Sequence, residues 1–257
     1  MAPRSPRSLK HEYELFVEAE VEDYKESISR SALLKIGDEA AAALAQQQQL
    51  VLTELLLCEE VDRIIVRRLR LPSYRTWRSR RLKALEALRR PEHWGLRPDD
   101  AVVRVVRPAP EGHVLVAGMR AEAQALYLAA NGCAVTTIDD ELDIVQRVLE
   151  AAQAAGLLER VRGCVGDLAD WTPDRTLSAV LCAPAAFTRL SADEQSRVIT
   201  ELQDATARGG VHLIETEATG VGAVSIDELT RCYHGWDVSL EAGHDAPRTF
   251  LARKAVA

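Results

Sequence analysis

The chain has 257 residues, 47% hydrophobic and 28% charged, with 39 acidic against 32 basic side chains. That balance suits a globular protein with ample core. Five scattered cysteines without a Cys-x-x-Cys pair, and six histidines without ligand spacing, argue against a disulfide framework and against a metal site. Residues 1–95 carry a net charge of +2 and residues 96–257 a net of −9, which excludes the C-terminal part as a general nucleic-acid surface.

Residues 1–8 are basic, with no apolar stretch behind them, and read as a disordered lead-in rather than a signal peptide. Residues 9–95 read as helices only and form the expected N-terminal domain. The first helix, Leu9 to Ser29, is rich in glutamate and offers Leu15, Phe16, Val21 and Tyr24 for burial. A second pattern runs from about Asp38 to Leu71 and stops before Pro72. As one continuous helix its 34 residues would extend roughly 50 Å. A third helix is predicted from Ser73 to Arg90, with Ser73 as N-cap. The longest apolar run, Leu50 to Leu57, is broken by Thr53 and Glu54 and is too short for a membrane span.

Pro91 to Pro98 is dense in turn formers, and residues 96–112 are taken as a linker in which Val102 to Val106 forms a short strand or strap. From 113 onward strands and helices alternate. His113 to Ala117 is a wholly apolar strand, Ala121 to Ala130 a helix closed by Asn131-Gly132, and Ala134 to Ile138 a second strand ending at Asp139 and Asp140. Further strands are predicted at 162–166, 178–182, 211–216, 236–241 and 249–253, the last two pairing antiparallel, with helices at 142–155, 192–207 and 226–233. This order specifies an α/β domain over 113–257, a doubly wound, mostly parallel seven-stranded sheet of Rossmann-like type, preceded by the all-helical domain.

Asp139 lies 21 positions beyond Gly118, where nucleotide-binding α/β folds place the acceptor for a ribose diol. The turn itself, Gly118-Met119-Arg120-Ala121-Glu122, holds one glycine where a phosphate-cradling loop needs several.

Six motifs in order resemble the class I S-adenosylmethionine-dependent methyltransferases over about residues 113–254: the strand and turn 113–122; Val-Thr-Thr-Ile-Asp139; Gly-Asp167-Leu-Ala-Asp-Trp171; Leu177 to Cys182; Ala207-Arg-Gly-Gly210; and Tyr233-His-Gly-Trp236. The resemblance implies S-adenosylmethionine as cofactor, with Gly118, Arg120, Asp139, Asp140, Asp167, Leu168 and Cys182 around it. Departures accompany it. Val116 stands where the family carries an acid, and Arg120 and Glu122 replace the second and third loop glycines. Either side chain would intrude on the methionine half of the cofactor, although Arg120 would also suit its carboxylate.

No general base is identifiable, and Cys182 reads as a small hydrophobe at a strand end rather than as a nucleophile. The stretch Cys182-Ala-Pro184-Ala-Ala-Phe187 lacks the Asn/Asp-Pro-Pro-Tyr/Phe pattern of enzymes that methylate base amines. His212 and His234 read as structural. The resemblance therefore implies methyl transfer to a small-molecule or protein acceptor, the alternative being an inactive scaffold of the same fold that binds a partner. A nicotinamide oxidoreductase is disfavoured by the missing glycine set. The arginines between 63 and 90 are read as a packing or dimer surface of the N-terminal helices rather than a nucleic-acid site. Neither a nucleic-acid nor a membrane partner is expected, and the cytoplasm is the expected compartment.

Overall fold

The computed structural model describes residues 8–46, 54–107, 112–118, 121–216, 224–241 and 248–256. They divide into two compact units, 1–84 and 85–257. The first seven residues of the expected lead-in lie outside the described residues, and Ser8 caps the first helix by accepting from His11 N–H at 3.2 Å.

The first unit contains α1 (Leu9–Ser27), α2 (Arg30–Gln46), α3 (Glu54–Leu69) and the start of α4 (Tyr74–Leu88). Ile36 and Ala40 of α2 share one core with Ile64 and Ile65 of α3 and Val21 of α1. Residues so far apart in sequence cannot meet on one straight helix, so the expected 38–71 rod is corrected to two helices packed side by side. The intervening 47–53, including three of the four glutamines, lie outside the described residues. Ser73 does cap α4, accepting from Thr76 N–H at 3.4 Å. Tyr13 and Phe16 of α1 form an aromatic cluster with Trp77 of α4, at centroid distances of 5.4 and 6.1 Å. Beside it Arg81 pairs with Glu12 at 3.1 Å, so part of the basic run is answered by the acidic first helix.

The second unit carries seven strands: β1 (His113–Ala117), β2 (Ala134–Asp139), β3 (Val161–Val165), β4 (Leu177–Cys182), β5 (Thr206–Thr216), β6 (Asp237–Glu241) and β7 (Arg248–Arg253). Their order is β3-β2-β1-β4-β5-β7-β6, parallel except for β7, which runs antiparallel to both β5 and β6. Period-two alternation sorts each strand between two cores. Val114 and Val116, Val135, Ala179 and Leu181, Val211 and Leu213 face one layer with α6 (Ala121–Ala130) and α7 (Leu142–Ala154). Leu115 and Ala117, Ile138, Val180 and Cys182, and Ile214 face the other, with α8 (Ala192–Ala205) and α9 (Ile226–Cys232). This is why the strands read as continuous apolar runs.

Two sequence expectations are corrected here. Residues 102–106 are not a strand: Ala101–Val105 is α5, and Val102 and Val106 are buried in the first of those cores. Packing of that helix face overrides the β preference of a valine-rich segment. The span taken as a linker thus contributes core, and the boundary between units falls within α4, between Ala84 and Leu85.

The Arg208-Gly209-Gly210 turn lies inside β5 as a wide bulge, since Leu177 pairs with Thr206 but Ala179 with Val211. A Cβ on Gly210 would fall 2.5 Å from Thr206 Cγ2 and 2.8 Å from the Ala207 carbonyl oxygen. Gly210→Ala is therefore expected to cost about 1–3 kcal/mol, seen as a lower urea midpoint. An unchanged midpoint would show that the bulge can relax.

Candidate functional site

The strand order reverses between β1 and β4, and parallel α/β sheets bind ligands outside the carboxyl ends of their strands at such a point. Backbone hydrogen bonds tie those ends together: Gly118 N–H to the Ile138 carbonyl at 3.1 Å, Gly166 N–H to Asp139 at 3.0 Å, and Ala183 N–H to Ala117 at 2.9 Å. Above them opens a cleft with about 140 Å³ of water-accessible room. Its floor is Ala117, Gly118, Ile138 and Leu168, its polar side Asp139, Asp140, Glu141 and Asp167, and its far wall Ala185, Ala186, Thr188 and Arg189.

Asp139, the last residue of β2, is 7% exposed. Its Oδ1 accepts from Glu141 N–H at 3.0 Å, which fixes the carboxylate at the entry to α7, and its Oδ2 meets no donor among the described residues. Asp167 repeats the arrangement after β3, accepting from Ala169 N–H at 2.9 Å. Next to it Gly166, at φ +155°, has nothing within 4 Å where a Cβ would stand, so the cleft stays open there. A buried carboxylate with an open acceptor site calls for an incoming donor.

Gly118 has φ +89°, and a Cβ there would sit 3.1 Å from both Ala183 Cβ and Ala186 N. The lone glycine thus serves the turn and the close approach of the 3-10 turn Pro184–Ala186 behind β4. Asp140 pairs with Arg189 across the mouth. Arg189 is largely exposed, so this pair adds no more than about 1 kcal/mol.

Five of the seven residues singled out in the sequence, Gly118, Asp139, Asp140, Asp167 and Leu168, come together in this cleft. Arg120 lies outside the described residues. Cys182 does not line the cleft: it is 2% exposed in the core at the end of β4, where burial pushes its thiol up to about 12. Such a thiol stays protonated and is no nucleophile. Glu122, on the first turn of α6, is not among the lining residues. Val116 is buried in the core.

The wall 185–189 was missed by sequence reasoning. Its only signal is Pro184 two residues beyond the end of β4, which starts a turn without saying where it folds. His212 also lies outside the cleft lining, in a buried chain. The Thr206 hydroxyl donates to the Leu202 carbonyl at 2.6 Å, so it accepts from His212 Nε2 at 2.7 Å, and His212 Nδ1 accepts from the Tyr233 hydroxyl at 2.5 Å. Among the described residues no helix is long and apolar enough to cross a membrane, and no group of three His, Cys, Asp or Glu is placed to hold a metal.

The family model of the tellurite resistance protein TehB matches residues 98–242, more than half of the chain. The chain belongs to the TehB family. TehB from Haemophilus influenzae shares the fold, with a TM-score of 0.50 and 19% identity over 60% of this chain and 61% of that one. The match thus spans about three fifths of that relative's length. The N-methyltransferase NodS from Bradyrhizobium japonicum WM9 gives 0.48 and 15%, covering 62% of this chain and 100% of its own. A TehB-like S-adenosylmethionine-dependent methyltransferase from Corynebacterium glutamicum gives 0.45 and 19%, covering 58% and 83%. No curated protein matches the chain.

The TehB family belongs to the class I S-adenosylmethionine-dependent methyltransferases, and S-adenosylmethionine is its cofactor. The residues present fit the nucleoside half of that molecule. A half-satisfied carboxylate ends β2 for a diol, a second carboxylate follows β3 for an amino group, and Ile138 and Leu168 supply apolar surface for a ring.

Proposed function

We propose that this TehB-family chain binds S-adenosylmethionine in the Asp139 cleft and catalyses methyl transfer to a small-molecule or protein acceptor entering past Thr188 and Arg189. The observation that carries this is the buried Asp139 carboxylate, one oxygen held by the backbone and the other open to the cleft. Asp139 orients the sugar by accepting from its hydroxyls, Asp167 accepts from the base, and Leu168 and Ile138 keep water from the ring faces.

When bound, the cofactor supplies an electrophilic methyl group whose transfer needs alignment and exclusion of water rather than a protein nucleophile. The cleft provides that setting without a thiol among its described lining, and Cys182 at the end of β4 is buried and protonated. The Asp140–Arg189 pair spans the mouth and opens at little cost, as an entrance for the acceptor requires.

Calorimetric titration of the full chain with S-adenosylmethionine and S-adenosylhomocysteine tests this reading. One site of roughly micromolar affinity is expected, whereas no heat at millimolar ligand would leave a scaffold that kept the fold alone. The same reading assigns the helical first unit to pairing of two copies, supported by Leu34 and Leu55, which are 62% and 69% exposed. Light scattering should then give twice the mass of one chain, and Leu34→Glu with Leu55→Glu the mass of one.

A further inference from the structure

The α4 helix (Tyr74–Leu88) carries five basic residues and one acidic, and none of its residues is buried. Its first three turns pack through one row, Tyr74, Trp77 and Arg81. Tyr74 and Trp77 meet Tyr13 of α1 at centroid distances of 5.5 and 5.4 Å, and Arg81 meets Glu12 at 3.1 Å. The packing role expected for the basic run is thus met, within α4, by Arg81. Arg75, Arg78, Arg80 and Lys83 are exposed and form no ion pair or side-chain hydrogen bond among the described residues.

Countercharge is at hand and goes unused. The neighbouring α1 holds seven acidic against two basic or imidazole-free cationic side chains, yet Glu12 is its one acid that pairs with α4 among the described residues. The four remaining cations leave the helix on sides turned away from α1. From Arg75 to Lys83 they occupy roughly 12 Å of helix, so they repel one another and set up a local positive field.

Their angular spread narrows the choice of polyanion. At about 100° per residue, Arg78 and Arg80 stand about 200° apart, one on each flank of the exposed side. Ser79 lies between them, opposite Trp77, with Arg75 and Lys83 about 40° to either side of it. A lipid surface is met by an apolar stripe with cations beside it. Here Trp77 is committed to α1, and Leu82 alone adds a large apolar side chain among the cations. A groove with a phosphate chain along each wall does match cations on both flanks and a small hydroxyl between them. The major groove of B-form DNA, about 12 Å wide, admits an α-helix, whereas that of A-form RNA is too narrow for side chains to read.

We propose that the exposed side of α4 docks into the major groove of a DNA duplex, a partner the sequence alone did not lead us to expect. Arg78 and Arg80 meet the phosphates of the two strands, and Arg75, Ser79 and Lys83 face the groove between them. The surface is independent of the methyl-transfer reading, since no residue of the cofactor cleft takes part.

The test is fluorescence anisotropy of the full chain with a labelled mixed-sequence DNA duplex of about 20 base pairs, at about 50 and about 200 mM salt. Saturable binding in roughly the micromolar range is expected at the lower salt, weakened about 100-fold at the higher, as four phosphate contacts imply. Arg78→Gln with Arg80→Gln should melt as wild type does, bind about tenfold or more weakly, and lower the salt slope by about 2. Arg147→Gln with Arg231→Gln removes as much charge from the second unit and should leave binding unchanged. Unsaturable binding, or equal weakening by the two double variants, overturns the proposal. So does tighter binding to an RNA duplex, to polyglutamate or to phosphatidylserine vesicles, each of which would assign the helix to a different partner.

Discussion

Acidification from about pH 7 to about pH 4.5 is expected to cost the wild-type protein about 2–3 kcal/mol more stability than it costs His212→Gln. His212 is fully buried. Burial, and then the nearby Lys254 charge, holds its value down to about 3, against about 6.5 in the unfolded chain. Between those values the unfolded chain binds the extra proton, so stability is complete above about pH 6.5 and drains away as pH falls toward 3. The donor Nε2 and acceptor Nδ1 are both spoken for by Thr206 and Tyr233, so a second proton would also break the Tyr233 hydrogen bond. Glutamine keeps a donor and an acceptor at this position and does not titrate. His113, lowered by its own burial, contributes with the same sign in both proteins. Urea midpoints across this pH range decide the matter, and parallel curves for the two proteins would refute the assignment.

The second large effect concerns the cofactor. Asp139→Ala is expected to weaken S-adenosylhomocysteine binding about 100-fold, as loss of charge-assisted hydrogen bonds to a diol implies. Alanine also removes the acceptor for Glu141 N–H, so part of that loss reflects a loosened start of α7. Asp139→Asn separates the two contributions, because its amide oxygen can still hold the Glu141 N–H while the charge is gone. A loss of about tenfold is expected for Asn, with an unfolding midpoint close to wild type. Should Asn bind as tightly as aspartate, the carboxylate does not grip the sugar.

The strands were legible because each is buried on both sides and so reads as an uninterrupted apolar run. Val114 and Leu115, for instance, are neighbours that enter different cores. Asp139 was legible for a related reason: a charged residue directly after such a run must sit where the strand leaves the core. The α5 segment was misread because valine's local preference is weaker than the burial its helical face gains. Cys182 was assigned to the cofactor by its place in the motif order, yet the alternation that buries Val180 turns it into the core as well. The wall 185–189 was illegible because it is defined by a tertiary approach, Ala183 and Ala186 resting on Gly118, which no local pattern encodes. That approach also gives the solitary glycine a reason that the sequence lacked.

The central claim is that the carboxylate ending β2 receives a nucleoside sugar. A crystal structure of the full chain grown with saturating S-adenosylhomocysteine tests it most directly. The expected result is a nucleoside above Ile138 and Leu168, with both ribose hydroxyls within hydrogen-bonding distance of Asp139. A nucleoside bound elsewhere, or none in this cleft at saturating ligand, would contradict it.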